Sequence, residues 1–253
     1  METSFVKHVL RKGGFDPAHY RLGPLVRRVP ACLRALRVPS LPAARDLLAE
    51  EPARVPMAIN ALFIGTTGFF RDSHVFDILR EQIIPELVRR PHFPKVWSAA
   101  CSEGTELYSV AMLLAGHGPI PQGHLYGTDC RPEAIQASMR GWYPPNFLEN
   151  IPPEAFSGHL GLINGRHLIS RELREAVRWE VADVFSTTDA GAWDMILCRN
   201  LAIYLDPASI RALWEKLVHA LAPEGILVVG KAEKISMPGL HRLAPCIYQK
   251  VTS

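Results

Sequence analysis

The sequence lacks the features of membrane-spanning, secreted and disulfide-stabilised proteins. No apolar run in its 253 residues approaches the roughly 20 residues that a transmembrane helix needs, and the N-terminus lacks the charged-then-apolar order of a signal peptide. The five cysteines are an odd number without CxxC or metal-finger spacing, so neither a disulfide framework nor a metal site is predicted. We therefore expect a soluble, cytoplasmic protein with reduced thiols and no direct membrane insertion.

Internal repeats, low-complexity tracts and the dinucleotide-binding fingerprint GxGxxG are also absent from the sequence. Apolar residues make up 48% of the chain and charged residues 21%, which is typical of globular proteins and argues against a disordered or fibrous one. A chain of this length can form one large α/β domain and a small accessory unit.

Positive charge is concentrated near the N-terminus. Residues 1–60 contain ten Lys and Arg against five Asp and Glu, although the whole chain has a net charge of only +3. The first 60 residues therefore carry +5 and the remainder −2. This segment is either a solvated set of helix faces or a surface for an acidic protein or nucleic acid.

The first 72 residues are predicted to form a small all-helical domain. Apolar spacing and interrupting prolines predict helices at 5–12, 24–36 and 43–50. Asp72 or Ser73 then caps a longer amphipathic helix, whose apolar face extends to Leu87 and which links the two parts of the chain.

From residue 95 onward, short apolar runs alternate with helical patterns. Strands are predicted at 96–100, 124–129, 193–198, 226–230 and 246–251, and helices at 106–115, 132–141 and 207–221. This alternation is typical of a mostly parallel sheet with helices on both faces, so residues 73–253 are predicted to form a Rossmann-like, doubly wound α/β domain. A stretch at about 144–180 is too long for a simple connection and predicts a small inserted subdomain of antiparallel strands.

The ends of the first two predicted strands suggest a ligand pocket. Doubly wound sheets bind ligands beyond the carboxyl ends of their strands, where an acidic residue can accept the ribose hydroxyls. Asp129 ends the second strand, 25 residues after Gly104 in the loop that follows the first. Such a residue is also compatible with a helix N-cap or a solvated loop. Because the loop has one glycine, a nucleoside without phosphates, such as S-adenosylmethionine, is favoured over a dinucleotide.

Four ordered segments resemble the chemotaxis receptor methyltransferases of the CheR family. They read TGFFRD at 67–72, WSAACSEGTELYS at 97–109, GTD at 127–129 and CRNLAIYLD at 198–206. The family's later Gly-His-Ser-Glu reads Gly230-Lys231-Ala232-Glu233 here. The similarity extends from the basic N-terminal helices to Gly230.

That family transfers a methyl group from S-adenosylmethionine to glutamate side chains on acidic helices of chemoreceptors. The resemblance therefore implies a monomeric protein-glutamate O-methyltransferase of chemotaxis signal transduction, with S-adenosylhomocysteine as product, an acidic helix of a receptor or related signalling protein as partner, and no nucleic acid. It also implies a cofactor site formed by Thr67, Arg71, Glu106, Asp129, Asp183, Val184, Arg199 and Asn200. Arg71 and Tyr204 are implied to face the reacting centre.

Two other interpretations stay open at this point. The run Tyr143-Pro144-Pro145-Asn146 is similar to a motif of nucleic-acid amino methyltransferases, but there the motif follows the fourth strand and an aromatic side chain stacks on the extruded base. The second alternative is a degenerate CheR-like regulatory module that binds S-adenosylmethionine or a protein partner without turnover. The joint presence of Arg71, Asp129, Asn200 and Tyr204 favours an active enzyme.

Overall fold

The computed structural model describes residues 1–63, 67–153, 158–187 and 191–251. Its N-terminal part is helical, as predicted. The helices are α1 (Glu2–Lys12), α2 (Leu22–Val26), α3 (Val29–Leu36), α4 (Leu41–Glu50) and α5 (Val55–Leu62). The predicted helix at 24–36 is two helices, because Pro30 is tolerated only in the first turn of a helix and a new one begins at Val29.

The amphipathic segment after Asp72 is helical over its predicted length but is not a uniform α-helix. It consists of α6 (Ser73–Ile78), a π-helical turn (Leu79–Ile83) and α7 (Ile84–Val88). Pro85 lies in the first turn of α7; it has no N–H to donate and its ring crowds the preceding turn, which accounts for the widening. The apolar face of this segment is buried along its length, from Val75 in α6 to Leu87 in α7.

The C-terminal part is the predicted doubly wound α/β structure. Its strands are β1 (Val96–Ala99), β2 (Leu125–Asp129), β3 (Trp142–Tyr143), β4 (Leu160–Ile163), β5 (Arg166–Ile169), β6 (Val177–Val181), β7 (Trp193–Cys198), β8 (Leu221–Val229), β9 (Leu240–Ala244) and β10 (Ile247–Lys250). Its helices are α8 (Thr105–Ala115), α9 (Pro132–Arg140), α10 (Arg171–Ala176) and α11 (Pro207–Ala220).

Seven of these strands form one sheet in the order β6-β2-β1-β7-β8-β10-β9. The first five are parallel, and β10 is antiparallel to both of its neighbours. Strands β1, β2 and β7 are buried at every residue, as expected for the centre of a sheet that is covered on both faces. The chain runs outward in opposite directions from β1, so a crevice opens at the carboxyl ends of β1 and β7.

A second, antiparallel sheet has the order β3-β5-β4 and forms the inserted subdomain. The insertion was predicted for about 144–180, but part of that range belongs to the main sheet, because β6 pairs in parallel with β2. Within the described residues, no helix combines the length and apolarity that crossing a membrane requires.

The helical N-terminal part lies against the carboxyl end of the main sheet. The N–H of Arg21 donates to the carbonyl oxygen of Tyr204 at 2.8 Å, and the N–H of Asp206 donates to the carbonyl oxygen of His19 at 3.0 Å. The His19 ring also contacts the Phe185 ring, with centroids 4.4 Å apart. The turns that follow β6 and β7 are therefore both in contact with one N-terminal segment.

Close packing between β2 and β6 generates a prediction at Gly127. A Cβ atom at this position would lie 2.3 Å from a ring carbon of Trp179. We expect Gly127→Ala to lower the free energy of unfolding by about 1–3 kcal/mol, because overpacked cores displace side chains or backbone. Urea denaturation at neutral pH measures the effect, and shortening the neighbour in Gly127→Ala/Trp179→Leu should recover part of the loss caused by the alanine.

Gly161 provides the matched control, because it is also a strand glycine but a Cβ atom added there would have no other atom within 4 Å. Gly161→Ala is expected to change the free energy of unfolding by less than about 0.5 kcal/mol. Equal stability of Gly127→Ala and wild type would contradict the contact between β2 and Trp179.

Candidate active site

A pocket lies at the carboxyl ends of β1, β2 and β7, beneath the helical N-terminal part. The empty space in and directly above it is about 790 Å³, a figure that includes the region open to solvent. Seven of the nine predicted site residues line it: Thr67, Arg71, Glu106, Asp129, Arg199, Asn200 and Tyr204. The crevice predicted from strand order and the residues implied by the resemblance thus coincide in space.

Asp183 and Val184 lie outside this lining. They follow β6, where the N–H of Ala182 donates to the carbonyl oxygen of Asp129 at 3.0 Å, so they are close to the β2 end of the pocket. The Asp183 carboxylate accepts the N–H of Phe185 at 3.0 Å, and Val184 is buried. Their assignment to the cofactor site stays a prediction.

Nine further residues line the pocket and were not predicted. They are Tyr20, Phe63, Gly68, Ala100, Cys101, Ser102, Cys130, Arg131 and Leu201. Cys101 and Ser102 belong to the loop after β1, which the sequence did indicate as a ligand loop. Tyr20 is contributed by a distant part of the chain, and nothing in its local sequence distinguishes it.

The loop between β1 and α8 brings backbone close to the pocket. Ala100, Ser102 and Gly104 have positive φ angles of 59°, 53° and 79°, a region that costs energy for residues other than glycine. The N–H of Ser102 donates to Oδ2 of Asp129 at 2.8 Å. A Cβ on Gly104 would lie 2.6 Å from Trp179, so this position requires glycine for both conformation and space.

Asp129 is buried and held in one orientation by Arg131. Its Oδ1 accepts from the backbone N–H and the Nε of Arg131, both at 3.0 Å. The same guanidinium donates to Oδ1 of Asn60 in α5 at 3.2 Å and to the Ser102 hydroxyl at 2.8 Å. Burial by itself lowers the pKa of Arg131, but the Asp129 carboxylate outweighs this and raises it. Arg131 therefore stays charged and links Asp129 to the N-terminal helices.

Arg199 connects three elements around the pocket through a guanidinium whose side chain is only 3% exposed. It donates to Glu106 in α8 at 2.9 Å, to Asp72 at 2.6 Å and to the carbonyl oxygen of Arg71 at 3.0 Å. Glu106 also accepts the Ser98 hydroxyl at 3.1 Å. The ion pairs fix the Glu106 carboxylate at the pocket wall.

Asp72 receives a second cation from the loop after β8. Lys231 lies 2.9 Å from its carboxylate. Burial by itself raises the pKa of Asp72, but the ion pairs with Lys231 and Arg199 hold it below its ordinary value. The carboxylate is therefore ionised at neutral pH, and the start of α6 is tied to both the β7 and β8 ends.

Glu233 holds the turn that follows β7. Its buried carboxylate accepts three backbone N–H groups: from Asn200 at 3.0 Å, Ala202 at 2.8 Å and Gly230 at 2.7 Å. Burial raises the pKa of Glu233, and the three donors act in the opposite direction. Asn200 has a φ of 61°, which asparagine tolerates better than most residues. In the segment that corresponds to the family's Gly-His-Ser-Glu, the final glutamate, Glu233, is thus the residue that holds the turn.

Tyr204, in the turn after β7, and Arg71, next to Asp72, also line the pocket. Tyr204 is buried in the turn after β7, and its ring meets the Phe63 ring edge to face with centroids 5.7 Å apart. In the segment before α6 that contains Arg71, the Thr67 hydroxyl is hydrogen bonded to the hydroxyl of Thr105 at the start of α8.

The chemistry of the lining favours a polar ligand without phosphate groups. Asp129 and Glu106 supply carboxylates, Arg71 supplies a guanidinium and Tyr204 a hydroxyl. Burial raises the pKa of the Cys101 and Cys130 thiols, so neither is a reactive thiolate at neutral pH. Among the described residues, no group of three or more His, Cys, Asp or Glu side chains is arranged to hold a metal ion.

Comparisons with known proteins agree with this geometry. The family described as "CheR methyltransferase, SAM binding domain" matches residues 65–248. Chemotaxis protein methyltransferase 2 of Pseudomonas aeruginosa is 30% identical over 90% of this chain and 84% of its own length. The chemotaxis protein methyltransferase of Listeria innocua is 25% identical over 95% of this chain and 92% of its own length.

Among solved structures, the N-methyltransferase NodS of Bradyrhizobium japonicum in complex with S-adenosylhomocysteine is similar at 19% identity. The match covers 64% of this chain and 62% of that one, with a TM-score of 0.39. The family match and the two relatives confirm the resemblance of the four motifs, and the ligand is S-adenosylmethionine. The chain belongs to the CheR family of S-adenosylmethionine-dependent methyltransferases.

Proposed function

We propose that this methyltransferase forms methyl esters on glutamate side chains of a chemoreceptor or a related signalling protein. The names of the Pseudomonas and Listeria relatives support a substrate in chemotaxis. The observation that carries the proposal is that Arg71 and Tyr204 line the same pocket as Asp129 and Glu106. Groups that suit a carboxylate substrate are thus adjacent to groups that suit the cofactor. A cytoplasmic location and a monomeric state stay predictions from the sequence.

The pocket residues fit S-adenosylmethionine. Asp129 is an acceptor for the ribose hydroxyls at the end of β2, and Glu106 is an acceptor for the ammonium of the methionyl group. The cofactor supplies a methyl group bound to a positively charged sulfur. Since Arg131 already donates to Asp129, the ribose must share that carboxylate with the guanidinium or displace it.

The substrate side of the reaction needs positioning more than acid–base chemistry. A glutamate carboxylate has a reference pKa of about 4.3 and is ionised at neutral pH, so no general base is required. Arg71 can orient the carboxylate through its planar guanidinium, and the Tyr204 hydroxyl can donate one hydrogen bond to it. Holding the attacking oxygen in line at roughly 3 Å supplies several kcal/mol of the rate acceleration.

Transfer of labelled methyl groups to acidic receptor fragments tests the proposed function directly. The protein is incubated with methyl-labelled S-adenosylmethionine and fragments that carry glutamate-rich helices. Label that enters the fragment and is released by mild base identifies a carboxyl methyl ester. Base-stable label would identify another acceptor atom, and cofactor binding without transfer to any fragment would contradict the proposed substrate.

The first prediction for this site concerns Asp129. Asp129→Ala should weaken binding of S-adenosylhomocysteine by at least about tenfold, because it removes the ribose acceptor and leaves the buried Arg131 guanidinium without its main partner. Calorimetric titration measures the affinity. Asp77→Ala removes a carboxylate that pairs with Arg80 outside the pocket lining and should bind normally. An affinity of Asp129→Ala within about twofold of wild type would remove Asp129 from the site.

Tyr204→Phe should lower turnover without lowering cofactor affinity. The variant keeps the ring and its contact with Phe63 while it removes the hydroxyl that we assign to the substrate carboxylate. We expect kcat to fall by roughly tenfold, about 1.4 kcal/mol, with binding of S-adenosylhomocysteine and the melting temperature nearly unchanged. Because Tyr204 is buried between apolar neighbours, a structural role is the alternative. Lower stability with normal turnover per folded molecule would favour it.

The basic N-terminal helices are proposed to attract the acidic partner. Arg27, Arg34 and Arg37 are exposed and Arg28 is half-buried, so their charge is available to a docking helix and sensitive to screening. The KM for a receptor fragment should rise with salt and should rise several-fold in Arg34→Glu/Arg37→Glu, with kcat unchanged.

A double variant with the same change in net charge provides the control. Arg89 and Arg171 have side chains that are 72% and 83% exposed and lie outside the N-terminal helices. Reversal of these two charges should leave the KM within about twofold of wild type. A KM that is independent of salt, or equal effects of the two double variants, would place the partner elsewhere.

A further inference from the structure

Tyr20 is held at the pocket by backbone and ring contacts from both parts of the chain. It forms an isolated antiparallel bridge with Leu205 in the turn after β7. Its ring packs edge to face against Phe15 and Phe63, with centroid distances of 6.3 and 5.5 Å. These contacts fix the position of the Tyr20 ring on the pocket wall.

Phe63 separates Tyr20 from Tyr204. Both tyrosine rings meet it edge to face, at 5.5 and 5.7 Å, and all three residues line the pocket. The two tyrosine rings therefore share Phe63 as a neighbour on the pocket wall. Tyr204 belongs to the part that we assign to the reacting centre.

The Tyr20 hydroxyl differs from those of the other buried tyrosines with partners in the structure. Tyr108 donates to the Ser138 carbonyl oxygen at 2.8 Å, Tyr126 to Glu180 at 3.0 Å and Tyr143 to the Glu103 carbonyl oxygen, and Tyr248 accepts the Ile235 N–H at 3.3 Å. The Tyr20 hydroxyl has no hydrogen bond to any other residue that the structure describes, although Tyr20 is only 7% exposed. Tyrosine hydroxyls in such positions normally have a partner, and a ligand in the pocket can supply one.

Contacts of the neighbouring residue show which end of the pocket Tyr20 faces: the His19 ring meets the Phe185 ring, in the turn after β6, with centroids 4.4 Å apart. Burial raises the pKa of Tyr20, and the nearby carboxylates of Asp183 and Asp129 raise it further. Both carboxylates lie at the carboxyl ends of β2 and β6, where a doubly wound fold holds the nucleoside. The hydroxyl is protonated at neutral pH, so it can both donate and accept a hydrogen bond there.

We infer that Tyr20 is a cofactor-binding residue contributed by the N-terminal helices, and that its hydroxyl bonds to the nucleoside half of S-adenosylmethionine. This inference rests on the proposed function, which takes S-adenosylmethionine as the ligand of this pocket. The pocket is therefore completed by a part of the chain that lies outside the α/β fold.

Calorimetric titrations with two ligands test the assignment. S-adenosylhomocysteine is the whole product, and 5′-methylthioadenosine keeps the nucleoside but lacks the amino-acid group. Tyr20→Phe removes one hydrogen bond and keeps the ring, so both affinities should fall by a similar factor of roughly five to ten. Tyr248→Phe is the matched control, because Tyr248 is 6% exposed and lies outside the pocket lining. It should bind both ligands within about twofold of wild type.

The outcomes separate this inference from the proposed function. Wild-type affinity of Tyr20→Phe for both ligands would overturn the inference and leave the proposed function intact. Loss of affinity for S-adenosylhomocysteine alone would move the hydroxyl to the methionyl half and overturn the nucleoside assignment. Failure of the wild type to bind S-adenosylhomocysteine would overturn both. Melting curves without ligand verify that Tyr20→Phe is folded, and a reduced gain in melting temperature with saturating ligand provides a second measure of binding.

Discussion

The buried guanidinium of Arg199 is the interaction on which the geometry of this site depends. A charge with so little contact with water is tolerated only when it is paired and hydrogen bonded. Its partners, Glu106 and Asp72, belong to α8 and to the start of α6. Loss of Arg199 leaves the Glu106 carboxylate without its ion-pair partner, and breaking a buried pair in this way typically costs about 3–5 kcal/mol. The network thus joins the start of α6, the first turn of α8 and the β7 end.

The parts of the fold that were predicted from the sequence are segments in which burial changes little from residue to residue. β7 is buried at every residue and reads as an apolar run. Strand β6 is half exposed and contains Arg178 and Glu180, and β9 is mostly exposed, so neither has the pattern of a buried strand. Helix α5 contains Pro56 in its first turn, a residue that reads as a helix breaker unless the helix start is known.

The same distinction applies to the site. Motifs that are contiguous in sequence indicated the residues around the β1, β2 and β7 ends. Arg131 and Tyr20 were missed because their roles arise from contacts with distant residues: Arg131 reaches Asn60, and Tyr20 reaches Leu205. A single sequence carries no local pattern for such pairs. The roles of such residues can be recognised only in the folded structure, where the chain brings them together.

In the proposed function, the N-terminal helices contribute to both the partner surface and the cofactor pocket. Arg27, Arg34 and Arg37, in and beside α3, are exposed, while Tyr20 of the same helical part lines the pocket and Asn60 accepts a hydrogen bond from Arg131. A partner that docks on the basic surface therefore binds a body already anchored beside the cofactor. Alignment of the two substrates then depends on how firmly these helices are held against the turns after β6 and β7.

The carboxylate of Glu233 shapes the turn after β7 entirely through backbone N–H groups. Every amino acid except proline offers such a donor. Replacement of the exposed Ile203 therefore leaves the anchoring bonds in place, while it changes the surface presented beside Tyr204. The exposed side chain of this turn can therefore vary without loss of the bonds that hold its backbone beside the cofactor site.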